Sequence, residues 1–230
     1  MTVDIPIDLH DVSAVMDSNV LVELVSYHDL DNAFARSRSK DGAFHYRKQR
    51  LRNTLILFEY LHRNKLTTYS MRDEPIAILS RLIPEDRKFT PHTEHLRVAI
   101  PFLAENIFRD WTGKVADDGE PQPTGNEADD FLVDVAAHWR IPLITYEGIR
   151  TDGRIDPTKR IQKRSKENCV KVMTPSEFWA GKIDFREAAT RITRSLRVRQ
   201  KAYVQTQQRP DLADCAIERM RAIIEYVLAD

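Results

Sequence analysis

Two cysteines in 230 residues, Cys169 and Cys215, are too few for a disulfide framework and lack the spacing of zinc ligands. A stapled secreted scaffold and a zinc module are both excluded, and the two thiols are expected in the core. Glycine fills only 7 positions, which removes collagen-like and linker-type chains. No run approaches the roughly 20 apolar residues that cross a bilayer. The opening MTVDIPIDLH has neither a basic start nor an apolar signal core, so a cytoplasmic location away from membranes is expected. Net charge is missing too, since 35 Lys and Arg balance 35 Asp and Glu; the total gives no sign of a polyanionic partner. Internal repeats and low-complexity tracts are absent as well.

What is present is segregated. KRIQKRSK (159–166) carries five basic residues, and RITRSLRVRQK (191–201) carries five with no acid. Acids gather instead in ADDGE (116–120) and NEADD (126–130). This distribution predicts an acidic centre flanked by cationic surfaces. With 42% hydrophobic residues, a chain of this length buries a real core.

Val12 to Met16 (VSAVM) is a short apolar run that stops at Asp17-Ser18-Asn19, the pattern of a buried strand followed by a helix start. Helical spacing follows in VLVELVSYHDL, then a polar loop or insertion at about 29–43, a helix over 44–64 and a strand at LTTYS (66–70). A helix opening near Asp73-Glu74-Pro75 suits the preference of acids and proline for helix starts. Residues 84–95 read as loop, and 96–111 as a helix that Pro101 is expected to kink. After the loop VADDGEPQPTGNE, a helix over 128–139 runs into a strand at 142–145, then a long basic loop, a strand at CVKVMT (169–174) and the Pro-led turn PSEFWAG. Strands alternating with helices predict α/β architecture with a parallel sheet. Beyond about residue 183 only two helical stretches remain, at 184–205 and 210–229. Trp139 and Trp179 are expected in the core.

In an open parallel sheet, reactive groups collect at the carboxyl ends of strands. Asp17 ends the first strand, Glu74 follows the second, and Glu147 follows PLIT by two residues, while Asp129 opens the helix feeding that strand. Carboxylates gathered without basic partners repel one another and take up protons unless divalent cations neutralise them. All-oxygen ligation favours Mg²⁺ or Mn²⁺. Each acid also has a plainer role available. Asp17 alone reads as a helix cap, and Glu74 as a complement to a helix dipole. Glu127, Asp130 and Asp134 compete with Asp129, and Glu59 with Glu74.

The segment VMDSNVLVEL resembles the opening of PIN-domain nucleases, where a hydrophobic strand runs into Asp, then Ser or Thr, then Asn and an apolar helix. DDFLVDVAAHWRIPLITYEG resembles the family's second landmark, and CVKVMTPSEFWAG its last strand and Thr-Pro-led helix. The resemblance spans roughly residues 12–182. It implies a PIN-like three-layer α/β fold over 1–182 with a central, mostly parallel sheet, and a C-terminal helical extension over 183–230. It carries the metal-ligand and catalytic acids onto Asp17, Glu74, Asp129 and Glu147, with Glu147 standing where the family usually has Asp. Ser18, Asn19 and Thr145 would support the site, with Asp130 and Asp134 beside it.

The activity so implied is Mg²⁺- or Mn²⁺-dependent endonucleolytic hydrolysis of single-stranded RNA, by in-line attack of an activated water. A toxin-type ribonuclease is one form of this activity that the resemblance admits. Lys159, Arg160, Lys163, Arg164 and Lys166 would hold the phosphate backbone. The Arg191, Arg194, Arg197 and Lys201 series either extends that surface or docks an inhibitory acidic partner. DNA as substrate, an inhibitory protein and a homodimer are the further associations the resemblance admits. The competing reading is a catalytically weak PIN-like scaffold for RNA or protein. A phospho-receiver domain is disfavoured, because no Lys follows a late strand.

Overall fold

The computed structural model describes residues 11–26, 42–70, 96–107, 114–115, 126–150 and 154–229. Glu74, the helix expected from about 73, the loop over 84–95 and most of the 29–43 loop lie outside the described residues.

Five short strands form one all-parallel sheet: β1 Val12–Met16, β2 Thr67–Ser70, β3 Lys114–Val115, β4 Leu143–Ile144 and β5 Val172–Met173, in the order β3-β2-β1-β4-β5. β1 is central, and its β-branched and apolar side chains are sealed on both faces. Ala14 and Met16 join Ile144 in one apolar cluster, whereas Val12 and Val15 join Tyr69 and Leu143 in the other. Alternation of period two explains Ala14 against Val15. A register shift between Val12 and Ala14 explains why Val12 and Val15 share a face.

Helices cover both faces, which makes the chain α/β. Over the Val15 face lie α4 (Asn126–Trp139) and α5 (Arg160–Glu167), whose Leu132, Val133, Val135, Ala136 and Ile161 are buried. Over the Met16 face lie α1 (Ser18–Val22), α2 (Gly42–Arg63), α3 (Leu96–Ile107), α6 (Pro175–Trp179), α7 (Phe185–Gln205) and α8 (Pro210–Leu228). The stretch Glu23–Ser26 is 3₁₀. α2 buries Leu51, Leu55 and Phe58 at helical spacing. α6 starts with Thr174 and Glu177 in a reciprocal capping box with Pro175 in the first turn. The last two helices do not stand apart: Leu196, Ile217, Ile224 and Val227 share one cluster with Leu51 and Met16. Among the described residues no helix is long and apolar enough to cross a membrane.

Three local expectations change. The basic stretch after β4 is helical over Arg160–Glu167, because Ile161 and Ser165 give it an inward face against α4. Both cysteines are exposed. Cys169 takes a left-handed backbone (φ 57°) just past α5, and Cys215 lies between the inward residues Ala213 and Ala216 of α8. Trp139 and Trp179 pack beside the core without being fully enclosed, and the Trp179 indole donates to the Asn53 carbonyl at 3.1 Å.

Candidate active site

The register of two neighbouring strands builds the site. Met16 pairs with Ile144, so the next residues, Asp17 and Thr145, emerge side by side at the carboxyl edge of the sheet. The Asp17 amide donates to the Ile144 carbonyl at 3.0 Å, and the Thr145 amide to Met173 at 3.0 Å. Asp17 is 6% exposed and Thr145 fully buried.

The Asp17 carboxylate does two jobs. Oδ1 accepts from the Asn19 amide at 3.1 Å, which caps α1 as the sequence suggests. Oδ2 accepts from Asn19 Nδ2 at 2.7 Å and from the Thr145 hydroxyl at 2.8 Å. Asn19 in turn accepts from the Tyr146 amide at 3.1 Å, and Thr145 Oγ1 from the Glu147 amide at 2.8 Å. Asp17, Asn19 and Thr145 are therefore one interlocked unit, and the adjacent Ser18 favours the charged form of Asp17. Burial nevertheless prevails over these donors and holds the Asp17 carboxyl above its ordinary range.

Asp129 and Glu147 both lie near enough to Asp17 to feel its charge. Burial, with Glu147, Asp17 and Asp130 adding repulsion, pushes the Asp129 carboxyl up to about 6 against the pull of Arg160. Glu147 is raised by burial and by Asp17, with Lys159 opposing. Its backbone is fixed by Gln162, whose amide donates to the Glu147 carbonyl at 2.8 Å. Gly148 then turns with φ +73°, and a Cβ there would stand 2.8 Å from Gln162 Cγ. Only glycine allows that turn without displacing Gln162.

Other expected site residues point elsewhere. Asp130 takes a two-pronged ion pair from Arg160, and both oxygens of Asp134 accept from Arg164 Nη2 at 2.8 Å. These four residues tie α5 to α4. Lys159, the cap residue of α5, and Lys163 and Lys166 within it remain exposed, at a spacing that places them along one stripe. Glu59 is turned away, 4.0 Å from Arg191 of α7. Among the described residues no three of His, Cys, Asp and Glu form a group that could hold a metal ion. The donor chemistry of Asp17, Asp129 and Glu147 fits a hard divalent cation, while the described part of the site does not by itself complete a ligand set.

Sequence reasoning missed the brace behind Tyr146. Its hydroxyl donates to the Arg50 carbonyl at 2.9 Å and meets Thr54 Oγ1 at 3.1 Å. The Arg50 guanidinium lies 4.1 Å from the Tyr146 ring centroid and pairs with Glu23 at 2.8 Å. Tyr46 donates to the Ile149 carbonyl at 3.1 Å. Together these hold the turn that carries Glu147. The one local hint was a tyrosine placed between Thr145 and Glu147.

The raised Asp129 carboxyl has a measurable sign. Its proton affinity is higher folded than unfolded, so its contribution to stability is present below about pH 4 and disappears as pH rises through about 6. Asp129→Asn should accordingly raise the urea midpoint at pH 7 and leave it unchanged near pH 4. After discounting for solvent screening at this half-exposed position, the gain is about 1 kcal/mol. An equal or lower midpoint at pH 7 would mean that the acids do not crowd one another.

No protein-family model, no curated protein and no solved structure matches the chain.

Proposed function

We propose that the chain is a metal-dependent nuclease on a PIN-like fold, hydrolysing phosphodiester bonds of single-stranded RNA. The observation that carries this reading is the buried, hydrogen-bonded Asp17 at the carboxyl edge of β1 and β4, with Asp129 and Glu147 near enough that its charge raises the proton affinity of both, although the three do not by themselves close around a metal ion. Hydrogen-bond donors are concentrated on Asp17, which leaves negative charge that a hard cation neutralises. Asp17, Asp129 and Glu147, with Glu74 as the fourth acid, would hold Mg²⁺ or Mn²⁺, which would supply charge against the phosphate and acidify a water.

The chain's own groups do the positioning. Thr145 and Asn19 fix the Asp17 carboxylate, and Gln162 with the Tyr146 brace fixes Glu147. Lys159 lies close enough to Glu147 to favour its charged form, so the exposed lysine stripe of α5 begins beside the acids. A phosphate backbone laid along that stripe enters the site at its cationic end. A parallel sheet flanked by helices, with Asp17 just past the end of its central strand, supports the PIN-like assignment.

A second reading is a catalytically weak scaffold that holds RNA or protein. It draws on the incomplete ligand set among the described residues. Labelled single-stranded RNA and DNA, incubated with the full chain in Mn²⁺ or in EDTA, separate the two. RNA cleavage in Mn²⁺ and none in EDTA is expected. Replacing Lys159, Lys163 and Lys166 with Gln should weaken RNA binding and flatten its salt dependence by about 0.7 in log–log slope per lost contact. Cleavage that persists in EDTA sinks the metal mechanism, and RNA binding without cleavage in any divalent ion selects the scaffold.

A further inference from the structure

A second charged feature lies far from the acids. α2 ends at Arg63, just before β2 starts at Thr67, so its last turn sits at the amino end of the parallel sheet, opposite Asp17. The rise along α2 from Tyr46, which touches the Glu147 turn, to Arg63 is about 25 Å. Between that last turn and α7 runs a groove of about 670 Å³. Among the described residues its walls carry Arg63, Lys65, Arg191, Arg194 and Arg199 with Val198 among them, against a single acid, Glu59, which lies 4.0 Å from Arg191, and His62.

The cations in this groove divide into two sets. Arg63 and Arg191 share the Glu187 carboxylate, at 2.8 and 2.5 Å. Lys65, Arg194 and Arg199 are exposed and make no ion pair among the described residues. Glu187 thus shows how a carboxylate is received between guanidinium groups here, and three further cations stand ready for more. Val198 is 71% exposed, an apolar contact set among the charges. Among the described residues no Phe, Tyr or Trp lines the groove, and His62 is its one ring, so it lacks the run of successive aromatic platforms on which single-stranded nucleic acid stacks.

We infer that this groove is a docking site for an acidic peptide segment of a partner protein, one carrying Glu or Asp interleaved with an apolar residue. Charge complementarity supplies attraction and steering, and the apolar side chain packs on Val198. The inference does not rest on nuclease activity, because the groove shares no residue with the acid cluster.

Fluorescence anisotropy of the full chain with a labelled peptide alternating Glu and Leu tests it. A peptide with Lys in place of Glu and a labelled single-stranded RNA run in parallel. The Glu–Leu peptide should bind, weaken with added salt, and bind Asp17→Asn equally well. Lys65→Glu, Arg194→Glu and Arg199→Glu combined should weaken it by about tenfold or more, with the far-UV spectrum unchanged because none of the three has an ion-pair partner among the described residues. Val198→Asp, which leaves every cation in place, should weaken it less. Absence of binding, equal binding by the charge-reversed variant, or loss of RNA binding through that same variant each overturns the inference. The last outcome would assign the groove to nucleic acid.

Discussion

Replacing Asp17 by Asn is expected to lower metal-dependent RNA cleavage by about three orders of magnitude, or about 4 kcal/mol of barrier, while leaving the fold intact. The carboxylate lies where β1 ends, and the amide would preserve the size of the group while removing its charge. The backbone bond from the Asp17 amide to Ile144 is untouched by the change, so strand pairing survives. An intact far-UV spectrum with lost cleavage is the expected pair of results; unchanged cleavage ends the nuclease reading. Thr145→Val is a milder companion. It removes the hydroxyl that donates to Asp17 and accepts from the Glu147 amide and from Asn19 Nδ2. Orienting groups of this kind typically matter by about 10–100-fold, and the stranded donors should cost about 1–3 kcal/mol of stability.

The second large effect concerns the C-terminal helices. A chain ending at Ile183 is expected to lose cooperative folding altogether. Ile192, Leu196, Ile217, Met220, Ile223, Ile224, Val227 and Leu228 are all 7% exposed or less. At about 1.5–3 kcal/mol each, their burial rivals or exceeds the whole net stability of an ordinary domain, about 5–15 kcal/mol. Cutting the helices away also releases their ordering cost, yet it uncovers the faces of α2 and α3 that they seal. In the full chain, Ile224→Ala should cost about 2–5 kcal/mol by cavity formation. A truncated chain with a sharp melt within a few degrees of the full one would instead show that residues 183–230 are an appendage.

Local patterns carried much of the fold. β1 and β2 were legible from apolar runs, and α2, α7 and α8 from helical spacing over many turns. β4 and β5 proved shorter than their sequence runs, because pairing ends where the chain turns toward the site. Asp17, Asn19 and Thr145 were legible as ordered residue types at strand ends. Hydrogen bonds join them over 126 to 128 residues of chain. The arginines of KRIQKRSK looked like lysine's equals in the sequence. Their planar forks instead found carboxylates on α4, a choice that depends on helix packing and that no local pattern records. Arg50 and Glu23 were missed for the same reason, since they brace Tyr146 from elements distant in sequence.

The bulge-like shift between Val12 and Ala14 makes the reactive edge depend on the apolar interior. A strand slipped by one residue would turn Met16 out of its cluster and bring Ser18 level with Thr145. Every apolar residue of β1 and β4 therefore votes against that slip, and the vote is cast well away from any charge. Volume-conserving core changes, such as Leu143→Ile, should blur the position of Asp17 before they unfold the chain, so loss of activity can report on packing as sensitively as a melting curve.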